Sequence, residues 1–373
     1  MNPLKELSAS GQAVWLDFVQ RSLLTSGGLQ RLLDQDGVTG VTSNPAIFQK
    51  AIGDSDDYDD AIRQMTGQDA TSIYEALAID DIRLAADQLW PVYEHSAAKD
   101  GYVSLEVSPF VADDLAGTLA EARRLWARVD RPNLMIKIPG TSAGIAAIRP
   151  LVAEGVNINV TLLFAVSAYF QAALAYMAGL EDRLAGGRPI DRVASVASFF
   201  ISRIDTRIDA LLDARSADAS PELRDTLASL KGQAAIANAA VAYRRFQHLL
   251  NSSRWSALAA ANGQPQRLLW ASTGVKDPAY PDTLYTASLV APLTVNTLPP
   301  GAMDAFRDHG RISSRLASAA GSEVVGQLNA VGVNLNAVTD ALLQEGLSAF
   351  STAMAELTAA VDDKTNRLAR RRA

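Results

Sequence analysis

Eight short apolar runs recur along the chain, separated by longer stretches whose apolar positions fall at helical spacing. The runs are Ala13–Phe18, Val38–Thr42, Tyr102–Val107, Leu134–Ile138, Val156–Thr161, Val193–Phe200, Arg267–Ser272 and Thr294–Thr297. They are apolar on both faces or nearly so, as parallel strands are when helices cover one side and a core fills the other. After the third run, Leu115, Leu119, Ala122 and Trp126 share one helical face, and Asp113 and Asp114 stand at its start, where the helix dipole favours acids. After the fifth run, an Ala-rich helix is expected from Phe164 to Met177, ending near Gly179. Strands alternating with helices imply an α/β fold with a parallel sheet, and eight such units imply a (β/α)8 TIM barrel.

Two connections are too long for one crossover. Residues 44–101 and 201–266 read as helical insertions, and 338–361 as a C-terminal helix able to cap the barrel. No Pro/Gly/Ser linker divides the chain, so one domain is expected over residues 1–373. That length exceeds the roughly 250 residues of a plain barrel but suits one with insertions.

Composition narrows the chemistry. The absence of cysteine excludes disulfides, thiolate catalysis and cysteine-based metal sites. Three scattered histidines, His95, His248 and His309, leave little material for a histidine-rich metal centre. A net charge of −7 gives no global attraction for nucleic acid or anionic membranes. The basic tail of Arg367, Arg370, Arg371 and Arg372 reads as a solvated helix end. The start lacks the basic and apolar regions of a signal peptide, and no stretch could span a bilayer, so a cytoplasmic location is expected.

In a (β/α)8 barrel the chemistry sits at the C-terminal ends of the strands. The polar residues expected there are Asp17, Asn44, Glu106, Lys137, Asn159, Thr161, Ser198, Arg203, Ser272 and Lys276. Lys137, flanked by Leu134, Met135, Ile136 and Ile138, cannot easily reach water. Burial should lower its pKa from the usual value of roughly 10.4 and make it a nucleophile. A structural ion pair with Glu106 or Asp17 is the competing reading. Asp17 and Glu106, acids within apolar strands, should have raised pKa values that suit proton transfer, unless they serve only as that lysine's partners. Asn44 precedes Pro45 and is equally a turn former. Asn159 and Thr161 alternate along one strand and so share a face.

Together VWLDF, GVTSNPAIF, VSLEVSPFVADD, LMIKIPGTSAGIAAI, GVNINVTLLF, SVASFFISRID and WASTGVKDPAY resemble the transaldolase family, in its longer bacterial-type subfamily. The resemblance implies a cytoplasmic transferase of the pentose phosphate pathway in carbohydrate metabolism. It would move a dihydroxyacetone unit from sedoheptulose 7-phosphate or fructose 6-phosphate to glyceraldehyde 3-phosphate or erythrose 4-phosphate. Lys137 would form the Schiff base, Asp17 would act as general acid–base, and Glu106 with Thr161 would hold a proton-shuttling water. Asn44, Asn159 and Ser198 would bind substrate hydroxyls, Phe200 would line the pocket, and Arg203 would bind phosphate. No cofactor or metal is implied; the partners are sugar phosphates, with no nucleic acid and no membrane. The sequence does not distinguish a monomer from a homodimer.

One departure concerns the run after the seventh strand. The family commonly has Ser–Phe–Arg there, whereas this chain has Ser272-Thr273-Gly274-Val275-Lys276. Lys276 is inferred to supply the second cation, with Ser272 beside it. The shorter fructose 6-phosphate aldolases resemble a pattern with Gln in place of Glu106 and Tyr in place of Phe200, so both residues here favour transfer. A non-catalytic sugar-phosphate-binding barrel is the alternative from another class.

Overall fold

The computed structural model describes residues 2–65, 67–313, 316 and 320–370. Eight parallel strands close into a barrel in sequence order. They are β1 (Gln12–Leu16), β2 (Val38–Val41), β3 (Tyr102–Glu106), β4 (Leu134–Pro139), β5 (Ile158–Leu163), β6 (Ser195–Phe200), β7 (Arg267–Ala271) and β8 (Thr294–Leu298). The architecture is the expected (β/α)8 barrel, and each strand lies within two residues of its apolar run at both ends. The largest shift is in β5, which starts at Ile158 rather than Val156 and runs on to Leu163. There the β5–β6 register slips between Val160 and Leu163, and Leu162 takes a left-handed φ of 55°. Because all strands run one way, their C-terminal ends open on a single mouth. Register then sets neighbours: Glu106 pairs with Lys137, and Lys137 pairs with Asn159.

The helix after β3 spans Leu115–Val129, and Asp114 caps it by accepting the Ala116 amide at 3.0 Å. The helix after β5 spans Val166–Ala185 and passes through Gly179, where a stop was expected. A Cβ on Gly179 would lie 2.6 Å from Val152 Cβ, so this glycine is a close-approach point for the helix Ser142–Glu154. The two long connections hold helices: Pro45–Gly53, Asp59–Gln64 and Ala70–His95 in the first, and Ser202–Ser216, Pro221–Leu230, Ala234–Leu250 and Ser253–Ala260 in the second.

The last helix, Leu335–Arg370, is longer than the expected 338–361. Its buried stripe of Val338, Leu342, Gly346, Phe350, Met354, Leu357 and Val361 continues through Lys364 and Leu368. Lys364 hides that continuation because a lysine reads as solvent-facing. Its ammonium is instead buried, 2.9 Å from Asp59, donating to the carbonyls of Ile52 (3.0 Å) and Ser55. A buried charge is tolerated when paired and hydrogen-bonded in this way. Arg367 and Arg370 are exposed in the last turn, whereas Arg371 and Arg372 lie outside the described residues. This helix lies across the mouth. Gly346 permits the approach, because a Cβ there would come within 2.9 Å of Leu162 Cδ2 at the β5 bulge. Among the described residues no helix is long and apolar enough to cross a membrane.

Candidate active site

Strand alternation points Lys137 inward at the mouth, where its side chain is only 6% exposed. Its Nζ lies 3.1 Å from Glu106 Oε2 and donates to the Ser43 carbonyl at 3.1 Å. The Phe350 ring of the last helix stands 5.6 Å from the same nitrogen, a cation–π distance. Lysine and glutamate meet because they are register partners on β3 and β4.

Among the described residues neither Glu106 oxygen has a well-aligned hydrogen bond, so the 3.1 Å approach is an ion pair and the carboxylate retains unused acceptors. Burial pushes its pKa up to about 7; the Lys137 charge pulls the other way, and Asp17 adds to the rise. Asp17 follows β1. Burial raises its pKa too, opposed by the Lys137 charge and by a hydrogen bond from Thr42 Oγ1 at 2.7 Å to Asp17 Oδ1. Thr42 also contacts Thr297 Oγ1 at 2.6 Å, so hydroxyls from the β2 and β8 ends fix the Asp17 carboxylate.

On β5, Asn159 donates to Ser104 Oγ at 3.0 Å and accepts from Ser198 Oγ at 2.7 Å, tying β3, β5 and β6 together inside the barrel. Thr161, two residues on, is fully buried and its hydroxyl has no partner among the described residues. Asn44 is the cap of the helix Pro45–Gly53: its Oδ1 accepts the Ile47 amide at 3.0 Å, so the turn-forming role is real. That bond leaves its Nδ2 to donate elsewhere.

Phe200 closes β6 and packs against Phe164 with centroids 5.2 Å apart. Arg203 lies in the first turn of the helix Ser202–Ser216, its guanidinium 5.9 Å from the Phe200 ring. Burial lowers its pKa, partly offset by Glu345, and no carboxylate lies within ion-pair distance among the described residues. Glu345 instead contacts Arg207 at 3.6 Å. Ser272 Oγ lies 3.1 Å from Ser202 Oγ, linking the β6 and β7 ends. Lys276 is exposed on the segment beyond β7. The structure thus pairs Glu106 with Lys137 and Asn159 with Ser198, sets Asp17 within electrostatic reach of Lys137, and leaves Lys276 exposed beyond β7.

Thr42, Ser43, Ser104, Thr297, Glu345 and Phe350 were not singled out from sequence. Thr42 ended an expected strand beside the Asp17 strand, which is a usable signal. Phe350 had none, because its place depends on how the last helix folds back.

A lysine beside two carboxyl groups whose pKa values are raised, at the C-terminal mouth of a (β/α)8 barrel, is a constellation suited to amine and proton-transfer chemistry. Residues 14–361 match the family model described as transaldolase/fructose-6-phosphate aldolase, and the chain belongs to that family. It is 44% identical over 376 residues to transaldolase 2 of Nostoc sp. (strain PCC 7120), covering 99% of each chain. It is 46% identical over 362 residues to the transaldolase of Thermobifida fusca, covering 95% of this chain and 96% of that one. The transaldolase of Trichodesmium erythraeum is 42% identical over 374 residues, covering 98% of both.

Proposed function

We propose that the chain is a transaldolase that carries a dihydroxyacetone unit on Lys137 from fructose 6-phosphate or sedoheptulose 7-phosphate to an aldose phosphate. The observation that carries this reading is the buried Lys137–Glu106 pair at 3.1 Å beside Asp17. Glu106, with a pKa of about 7, takes the ammonium proton, and the free Nζ attacks the ketose C2 carbonyl. The carbinolamine hydroxyl receives a proton from Glu106 and departs as water, leaving an iminium. Thr161, whose hydroxyl lacks a partner, holds the water of that exchange with Glu106.

Asp17, held by Thr42, then takes the C4 hydroxyl proton. The C3–C4 bond breaks and its electron pair passes into the iminium. The aldose phosphate leaves and an enamine remains on Lys137. Addition of that enamine to a second aldose carbonyl, with Asp17 returning its proton, forms the new C–C bond, and hydrolysis of the imine frees Lys137.

Asn44, Asn159 and Ser198 hydrogen-bond the three-carbon unit, and Phe200 lines the pocket. Arg203, lacking an acidic partner and lying in the first turn of a helix, binds the phosphate. Lys276 and Ser272 meet the same anion from the β7 side. The enzyme works in the cytoplasm. An assay of dihydroxyacetone transfer from fructose 6-phosphate to erythrose 4-phosphate, run beside an assay for free dihydroxyacetone, tests the reading. Transfer far exceeding release supports it; release without transfer replaces it with an aldolase.

A further inference from the structure

At the N-terminal ends of the strands, opposite Lys137, the structure has a cavity of about 860 Å³. That volume falls in the range of small-molecule sites. Gln12 and Ala13 of β1, Arg267 of β7, and Lys99 and Trp255 from connections contribute to its wall. We propose that this cavity is a second binding site, for a small hydroxylated oxyanion such as a phosphate- or carboxylate-bearing metabolite.

Three observations converge on that chemistry. Arg267 is half-buried, and its contacts with Asp100 are long, 3.4 and 3.5 Å. Asp100 also accepts from the Trp15 indole and the Thr39 hydroxyl, each at 2.8 Å, so its lone pairs are shared among several donors. The guanidinium therefore keeps donors free for a planar or tetrahedral anion. Lys99, exposed on the rim, has no acid within ion-pair distance among the described residues. Finally, Gln12 is fully buried. Its Nε2 is spent on the Leu289 carbonyl (2.8 Å) and Thr294 Oγ1 (3.0 Å), while its Oε1 has no partner among the described residues. Gln12 belongs to the cavity wall, so a shift of its side chain would present this orphaned acceptor to a ligand hydroxyl.

The remaining charges of the wall are paired or face solvent. Arg192 is paired with Glu94 at 2.9 Å, and Asp191 is the remaining acid on the rim, exposed to solvent. The apolar Trp255 face gives the carbon skeleton somewhere to lie. The site is separate from the substrate mouth and needs no reading of the catalytic cycle.

The test uses full-length protein carrying 5-fluorotryptophan, with Trp255→Phe assigning that resonance. Inorganic phosphate and citrate are titrated separately. The expected result is a saturable shift of the Trp255 signal with at least one of the two probes, weakened roughly fivefold or more in Lys99→Met and unchanged in Arg203→Met. A phosphate-only response assigns a phosphate-bearing ligand; a citrate-only response assigns a carboxylate. No saturable shift with either probe, or identical binding in Lys99→Met, would overturn the proposal.

Discussion

Glu106 and Lys137 are register partners on adjacent strands, and their side chains meet at 3.1 Å inside the barrel mouth. Hydrogen bonding between β3 and β4 thus sets the distance between a buried acid and a buried amine. With a pKa of about 7, Glu106 is poised to exchange a proton near neutrality. A pH–rate profile of the transfer reaction should therefore inflect near 7, and Glu106→Gln should lose that inflection together with most of its turnover. An inflection that persists in Glu106→Gln assigns it to another group.

Asp17 owes its orientation to Thr42, whose hydroxyl donates at 2.7 Å. Asp17→Asn removes the proposed base and should lower kcat by about a hundredfold or more with little change in KM. Thr42→Val removes one hydrogen bond to a charged group, worth roughly 1.5 to 3 kcal/mol, and should lower kcat about tenfold or more. Equal losses in binding and turnover, measured by steady-state kinetics, would remove Asp17 from the cleavage step.

Phe350 covers the reactive nitrogen from the last helix. In the proposed cycle its ring would help keep water from the enamine, since a closed site protects a reactive intermediate. Phe350→Ala should raise the ratio of dihydroxyacetone released to dihydroxyacetone transferred. An unchanged ratio would show that the last helix does not guard the intermediate.

Away from the reacting atoms, Asp205 is buried, accepting from the Ala235 amide (2.8 Å) and the Tyr285 hydroxyl (2.9 Å). Burial nevertheless pushes its pKa up to about 6, from 3.8 for an ordinary aspartate. Between those values the folded state holds more protons than the unfolded one, so stability falls as pH rises through about 4 to 6. The loss is on the order of 2 to 3 kcal/mol, from 1.36 kcal/mol per pKa unit. Asp205→Asn should flatten that slope. Urea unfolding at pH 4.5 and pH 8 on both proteins checks it, and parallel slopes would contradict the assignment.

The barrel was legible because apolar runs alternating with helices suit a parallel sheet covered on both faces and eight such units suit a closed barrel, and the rim residues followed from where those runs end. Lys137 stood out because a lysine inside an apolar strand is costly. What the sequence concealed were relationships made by packing. Gly179 reads as a stop, but helix contact with Val152 demands it mid-helix. Lys364 reads as surface, yet Asp59 and two carbonyls enclose it. Asn44 read as both a turn residue and a ligand, and its cap to Ile47 realises the first without using its Nδ2.

The central claim is that Lys137 forms the covalent link to the ketose. Borohydride reduction in the presence of fructose 6-phosphate, followed by peptide mass spectrometry, tests it most directly. The account predicts a reduced three-carbon adduct on the peptide containing Lys137, and none in a folded Lys137→Ala variant that has also lost transfer activity. Transfer activity persisting in that variant, or an adduct on a different lysine, would contradict it.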